Sequence, residues 1–263
     1  MQSEIEAGDA TPRNLNGWFG PTFFGVRDRA RFAAGLEQML GTLGGGWASG
    51  IFTGDNLITF SKNLSFLEDE AFMAAVARHA TNEVERSIVW RTAVLYWAAR
   101  NGLRRPGDFV ECGCYKGTSA RILCDALDFG SLPRRYWLYD LFEYPPGSSH
   151  TRMPEIGGDL FERTRARFAD LPNVWVVKGS VPEVLHAGAP RQVAFLHIDM
   201  NAVAPEIGAL EFFFDRVVPG GVIVLDDYGY QGYRDQRDAE RAWFAARGCH
   251  VLELPTSQGL VIR

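Results

Sequence analysis

Between Asp108 and Ser119 the chain reads Asp-Phe-Val-Glu-Cys-Gly-Cys-Tyr-Lys-Gly-Thr-Ser. An apolar run breaks at an acidic residue and passes through two glycines four positions apart. That pattern is a strand feeding a tight loop and then a helix, the element with which open α/β sheets bind ligands. The glycine spacing excludes one ligand class. A dinucleotide fingerprint counted from Gly113 needs glycine at 115 and 118, where this chain has Tyr115 and Thr118. A tyrosine at that point blocks the close backbone approach that a pyrophosphate requires. The looser Glu-x-Gly-x-x-x-Gly loop suits a nucleoside without a pyrophosphate. Glu111, Gly113, Tyr115, Gly117, Thr118 and Ser119 are then the candidate contacts. A structural strand-to-helix turn with no ligand is the other reading of the same residues.

Length and charge narrow the setting. With 263 residues the chain has room for one large domain, or one domain with an extension. A net charge of −5 argues against a nucleic-acid surface, which is normally basic. No apolar run approaches the roughly 18 residues of a membrane helix, and the acidic N-terminus lacks the plan of a signal peptide. Four cysteines, at 112, 114, 124 and 249, fit a reducing compartment, so a cytoplasmic location is expected. Cys112-x-Cys114 has the spacing of a metal half-site but no second pair, which makes buried thiols the expectation.

The periodicity divides the chain. Residues 1–80 read as an N-terminal extension and 81–263 as the main domain. The extension is rich in aromatics and glycine around Trp18–Phe24 and 44–46, with an amphipathic stretch at 28–40. Such a segment cannot bury its aromatics alone, so it is expected to cover the main domain or a second copy of the chain, and a homo-oligomer follows as an expectation. Residues 68–79 and 83–100 read as helices, the second capped by Asn82 and stopped at Asn101-Gly102. From 108 onward strands at 108–112, 136–140, 174–178, 193–198, 221–226, 249–254 and 259–263 alternate with helices near 117–129, 159–170, 203–217 and 235–247, with a weaker one near 182–187. Only Pro255–Gln258 joins the last two strands, too short for a right-handed crossover. A seven-stranded, mostly parallel, Rossmann-like α/β sheet ending in an antiparallel hairpin is therefore predicted, the class I methyltransferase plan.

Acidic residues gather at the strand ends. Asp140 closes the second strand, where a carboxylate can accept hydrogen bonds from both ribose hydroxyls; a helix N-cap or a loop carboxylate is the alternative. Asp199 and the pair Asp226-Asp227 end two further strands that lie side by side in such a sheet. Three carboxylates there repel one another unless a cation neutralises them, and hard oxygen ligands suit Mg²⁺; the alternative is that Asp226 caps the following helix while Asp227 faces solvent. His197 reads as a satisfied core histidine on the same strand face as Asp199. His150, in a Pro/Gly/Ser-rich loop, is a candidate base or substrate contact, or a solvated loop residue. Gly179 and Ser180 follow the third strand and are candidate adenine contacts.

These segments together resemble the macrocin O-methyltransferase (TylF-like) family of Mg²⁺-dependent class I enzymes that use S-adenosylmethionine. The resemblance covers roughly residues 80–248. It rests on Gly107–Gly117, Asp140-Leu-Phe-Glu143, Ile198-Asp199 and, most specifically, Val218-Pro-Gly-Gly-Val-Ile-Val-Leu-Asp-Asp-Tyr228. It implies methyl transfer to a hydroxyl of a small molecule, a sugar or other secondary metabolite. Glu111 and Gly113 would hold the methionine and ribose end of the cofactor, Asp140 the ribose, and Asp199, Asp226 and Asp227 the metal. Family members often read Asp-Gly-Asp where this chain has Asp199-Met200-Asn201, and Asn201 cannot serve as a base. Asp199 is then the expected proton acceptor, with His150 in reserve. A nicotinamide oxidoreductase and a non-catalytic S-adenosylmethionine-binding protein are the alternatives. Tyr115 leads to one measurable outcome. The chain should bind S-adenosylmethionine or S-adenosylhomocysteine but not NAD, and Asp140→Ala should weaken that binding by about 1.5–3 kcal/mol. Calorimetry showing unchanged affinity would remove Asp140 from the ribose role.

Overall fold

The computed structural model describes residues 17–144, 153 and 155–263. They form two compact units, one of residues 17–69 with 81–88 and one of residues 70–80 with 89–263. The first contains strands β1 (Gly17–Phe19), β2 (Ile51–Gly54) and β3 (Leu57–Thr59), in the order β1-β2-β3, and helix α1 (Arg29–Leu40). Asp28 starts α1, its carboxylate accepting the N–H of Arg31 at 2.9 Å. The periodicity around 28–40 anticipates this helix but not the strands. The missed signal is Asp55-Asn56, whose φ values of +52° and +58° make the two-residue hairpin turn between β2 and β3. Both residue types tolerate that conformation, and the twist of such a turn matches the twist of paired strands.

Helix α2 (Glu70–His79) belongs to the second unit. The single helix expected over 83–100 is two, α3 (Glu83–Ser87) in the first unit and α4 (Val89–Gly102) in the second. Ile88 between them, at φ −90° and ψ 15°, is not helical. Asn82 caps α3 as expected, and Glu85 completes the capping box by accepting the Asn82 N–H. α4 ends at Gly102, at the predicted stop.

The rest of the second unit alternates as predicted: β4 (Asp108–Cys112), α5 (Thr118–Ala126), β5 (Tyr136–Asp140), α6 (Leu160–Arg167), β6 (Val174–Lys178), β7 (Val193–Ile198), α7 (Val203–Phe213), β8 (Val217–Leu225), α8 (Arg234–Ala245), β9 (Leu252–Glu253) and β10 (Gly259–Ile262). The weak element near 182–187 is a single 3₁₀ turn, Glu183–His186. The sheet order is β6-β5-β4-β7-β8-β10-β9, with β10 antiparallel to both its neighbours. The predicted seven strands and terminal hairpin are therefore present. Two bounds move: β8 begins at Val217, and the strand expected over 249–254 keeps only two residues. The chain winds outward from β4 to β6 on one side and from β7 to β8 on the other. Such a reversal opens a crevice at the C-terminal ends of β4 and β7.

Both faces of the central strands are covered, which is why they read as unbroken apolar runs; every residue of β7 is buried. On one face Val110, Leu196, Ile198 and Ile223 lie in a core shared with Leu210 and Phe213 of α7 and Phe244 of α8. On the other, Phe109 meets the rings of Tyr136 and Phe195 edge-on at 5.7 and 5.2 Å. Each phenylalanine so buried contributes roughly 1.5–3 kcal/mol relative to an exposed one. Among the described residues no helix is long and apolar enough to cross a membrane.

Where β4 ends, Gly113 lies at φ +94°, and a Cβ there would sit 1.8 Å from the carbonyl oxygen of Asp199. The exits of β4 and β7 thus touch backbone to backbone, which only glycine permits. Gly113→Ala should cost on the order of 3 kcal/mol or more, read from the denaturation midpoint in urea. An unchanged midpoint would contradict this close approach.

Candidate active site

The loop after β4 is held by Asp140. One carboxylate oxygen accepts the N–H of Tyr115 and the other the N–H of Phe142, both at 2.7 Å. The acid at the end of β5 thereby ties together the two loops that rim the crevice. A carboxylate with about four lone-pair sites keeps capacity for an incoming hydroxyl beyond these backbone donors. Burial raises the Asp140 pKa, and these two backbone donors oppose the rise. Tyr115 itself adopts φ +49°, a left-handed conformation that bulky residues rarely take, with the Lys116 ammonium 5.6 Å from its ring centre. Gly117, at φ +70°, starts α5; a Cβ there would come 2.7 Å from the Phe168 ring. Thr118 accepts a hydrogen bond from Arg167 at 3.2 Å, and Ser119 lies in the first turn of α5.

Gly179 donates its N–H to the Asp140 carbonyl at 3.0 Å, so the β6 exit lies beside the same rim. The Ser180 hydroxyl donates to Glu183 at 2.8 Å. Glu111 is placed differently from its neighbours in the motif. It is buried within the sheet, where the Tyr136 hydroxyl donates to it at 2.9 Å and His197 Nδ1 lies 3.3 Å away. Its structural partners are those two side chains. His150 lies outside the described residues. The cysteines are free thiols, with 112, 114 and 124 buried as expected.

The carboxylates at the ends of β7 and β8 do come together. One ligand atom each from His197, Asp199 and Asp226 lies within 4.8 Å of the others. Asp227 faces a different partner, one that sequence reasoning missed. The buried Arg91 guanidinium, on α4, donates to Asp226, and the same nitrogen donates to Asp227 at 2.9 Å. The Tyr230 ring covers that guanidinium at 5.0 Å, and Gln258, from the β9–β10 turn, donates to Asp226 at 3.1 Å. Arg91 was hidden because α4 reads as an apolar helix. A buried arginine within it is the one signal that asks for buried carboxylates.

His197 completes the arrangement. Its ring lies between Glu111 and Asp226, with Nε2 3.6 Å from Asp226, in ion-pair contacts that fall short of hydrogen-bond geometry. Burial pulls its pKa down, but the two carboxylates outweigh that and lift it to about 10, so it is a cation at neutral pH. Asp226 is opposite: burial raises its pKa, but Arg91 and His197 together hold it well below the usual range. Asp199 has neither cation as an ion-pair partner. Burial, then Asp226 and Asp227, push its carboxyl well above the usual range. The Asn201 side-chain amide donates to it at 3.3 Å.

Charge balance revises one expectation. Repulsion among Asp199, Asp226 and Asp227 does not by itself require a metal, because Arg91 and His197 already supply two positive charges. The donor set nevertheless fits a hard divalent cation. The oxygens are carboxylate, Asp199 and Asp226 converge, and Asp199 forms no ion pair among the described residues, feeling His197 and Arg91 only at longer range.

Residues 110–228 match the family model described as "Methyltransferase domain". Over 146 residues the chain is 30% identical to the 8-demethyl-8-(2,3-dimethoxy-alpha-L-rhamnosyl)-tetracenomycin-C 4'-O-methyltransferase of Streptomyces olivaceus, covering 49% of this chain. That stretch spans 56% of the relative's length. Among solved structures, the O-methyltransferase NovP is similar with a TM-score of 0.55 at 21% identity, covering 66% of this chain and 80% of NovP. The calicheamicin methyltransferase CalS11 gives 0.53 at 16%, covering 77% and 93%. The SAH-bound methyltransferase PaMTH1 of Podospora anserina gives 0.52 at 16%, covering 74% and 87%. The fold is the Rossmann-like methyltransferase fold.

His197 gives this site a pH signature. Its folded pKa of about 10 lies above the ordinary 6.5, so the stability it contributes is complete below pH 6.5 and is lost as pH rises through about 10. His197→Gln should flatten that part of the stability curve in urea titrations. An alkaline limb of the same slope in the variant would mean His197 is neutral.

Proposed function

We propose that the chain is an S-adenosylmethionine-dependent O-methyltransferase that acts, with Mg²⁺, on a hydroxyl of a small molecule such as a sugar or another secondary metabolite. The observation that carries this reading is the reversal of strand order at β4/β7, with Asp140 and Asp199 at the C-terminal ends of nearby strands, inside the span that matches the methyltransferase family model. The names of the relatives support the same class, among them a sugar-directed 4'-O-methyltransferase and a methyltransferase bound to S-adenosylhomocysteine. The nicotinamide alternative is disfavoured by Tyr115 in the loop and by the antiparallel β10.

S-adenosylmethionine supplies an electrophilic methyl group, and the acceptor oxygen forms its bond to that carbon as the carbon–sulfur bond breaks in line. Asp140 offers its remaining lone pairs to the ribose hydroxyls, while the loop of Gly113, Tyr115 and Gly117 surrounds the rest of the nucleoside. Thr118, Ser119, Gly179 and Ser180 are further contacts in this reading, and Glu111 supports the strand end from within. Asp199 takes the acceptor's proton at its carboxylate. A carboxyl raised by burial and by its acidic neighbours is a better base than an ordinary one. Arg91 and His197 hold Asp226 and Asp227 in place and keep the cluster from carrying its full negative charge. A divalent cation held by Asp199, Asp226 and Asp227 would acidify and orient the acceptor hydroxyl. His150 remains a second base in this reading. A cytoplasmic homo-oligomer is proposed as well, with Phe19, Phe24, Trp47 and Phe60, all exposed in the first unit, as its contact residues.

An acceptor screen with methyl-labelled cofactor, run with Mg²⁺ and with chelator, tests the proposal. Chelation should abolish transfer while leaving S-adenosylhomocysteine affinity unchanged. Asp199→Asn should lower kcat by roughly 10²- to 10⁴-fold. Transfer that survives exhaustive chelation would remove the metal and leave the remaining assignment in place.

A further inference from the structure

Two more acids are buried in the same unit, away from the crevice-facing carboxylates. Glu206 on α7 and Glu240 on α8 are both 0% exposed. One Glu206 oxygen accepts the backbone N–H groups of Met200 and Asn201, each at 2.9 Å. The other Glu206 oxygen and both Glu240 oxygens have no hydrogen-bond donor among the described residues. The two carboxyl groups face one another, each perturbing the other. As two carboxylates they are acceptors only; with one proton between them, one becomes a donor and two of the three orphan oxygens are paired.

The surroundings supply no other remedy. Among the described residues, the strongest influences on Glu206 and Glu240 include no Lys, Arg or His. Cys112 on β4 feels Glu206, and Tyr228 after β8 feels Glu240; burial raises the pKa of both, so both are neutral. A like-charged buried pair with no counter-cation retains a proton instead.

We propose that Glu206 and Glu240 share one proton and together position the turn that carries Asp199. Glu240 holds Glu206, and Glu206 holds the amides of Met200 and Asn201. Asn201, at φ +56°, then directs its side-chain amide to Asp199. Both glutamates are positioning residues, since neither touches the crevice carboxylates. The position at which an acid of the resembling family is replaced by Asn201 thus acquires a role as the last link of this chain. The importance of the turn for catalysis rests on the methyl-transfer reading; the shared proton and the order of the turn do not.

The pair also sets a pH range. Glu240 is raised from 4.5 to about 7 and Glu206 well above its ordinary range, so passing about pH 7 removes the first of two protons, and the shared one is lost only as pH rises through the higher Glu206 range. Infrared spectroscopy and site-resolved hydrogen exchange on the full chain read both halves of the proposal. Near neutral pH the wild type should show protonated-carboxyl absorption that drops by one group in Glu240→Gln. Protection of the Met200 and Asn201 amides should hold through neutrality and fall about tenfold in the wild type once the pair loses its last proton at higher pH, and stay constant in Glu240→Gln, whose amide replaces the shared proton. Glu206→Ala should lose that protection at all pH, and Glu206→Gln, which can still accept both N–H groups, should restore it. Carboxyl absorption unchanged in Glu240→Gln, or amide protection independent of pH in the wild type, would overturn the pair. If Glu206→Ala does not fold, the two glutamine variants decide. Calorimetry with S-adenosylhomocysteine, run in parallel, separates the outcomes: no binding by the wild type removes the methyl-transfer reading and leaves the result for the pair standing.

Discussion

Carboxylates cannot converge inside a sheet unless positive charge comes with them. Glu111, Asp199, Asp226 and Asp227 lie at or near the ends of adjacent strands, and the structure answers with Arg91 and His197. Much of the local architecture follows from that requirement. α4 must present a buried arginine to the C-terminal end of β8, Tyr230 must cover it, and His197 must stand inside the sheet between two acids. The compensation is uneven. Asp226 is held ionised, while Asp199 is left with a raised carboxyl. Environments that push neighbouring carboxyl groups in opposite directions are how proteins separate a ligand from a base.

Precision at the crevice comes from the backbone. Gly113 allows β4 and β7 to exit in contact, and Asp140 binds the loops after β4 and β5 by their amides. Glu206 does the same for the turn after β7. In each case a side chain fixes a loop through main-chain donors, which remain in place whatever side chains the loop carries. This leaves the loop side chains free to vary with the ligand while the frame stays constant.

The sheet was legible from the sequence because its strands are short apolar runs separated by amphipathic helices, and the Pro255–Gln258 connection could only be a hairpin. The strand-end acids were legible because parallel topology brings C-terminal ends together. Arg91 and Gln258 were not, because they reach Asp226 from 135 and 32 positions away and no local pattern marks them. Glu111 looked like a loop-facing acid, yet strand alternation puts it with Phe109 inside the sheet, where Tyr136 and His197 take it up. The three short strands of the first unit lack the alternation that longer strands show, and only the Asp55-Asn56 turn marks them. No local pattern marks Glu206 and Glu240, which α7 and α8 bury completely.

The positions of Arg91 and Gln258 bear on what counts as a module here. The span that matches the methyltransferase family is 110–228, and it contains Asp199, Asp226 and Asp227. It contains neither the guanidinium that neutralises the last two nor the amide that binds Asp226; these come from α4, before the span, and from the turn after β9, beyond it. The recognisable core therefore carries a surplus of negative charge that its flanks discharge. Flanking segments of this kind can drift in sequence only as far as they continue to deliver that charge. Grafting the core onto other flanks would transfer the acids without their counter-ions.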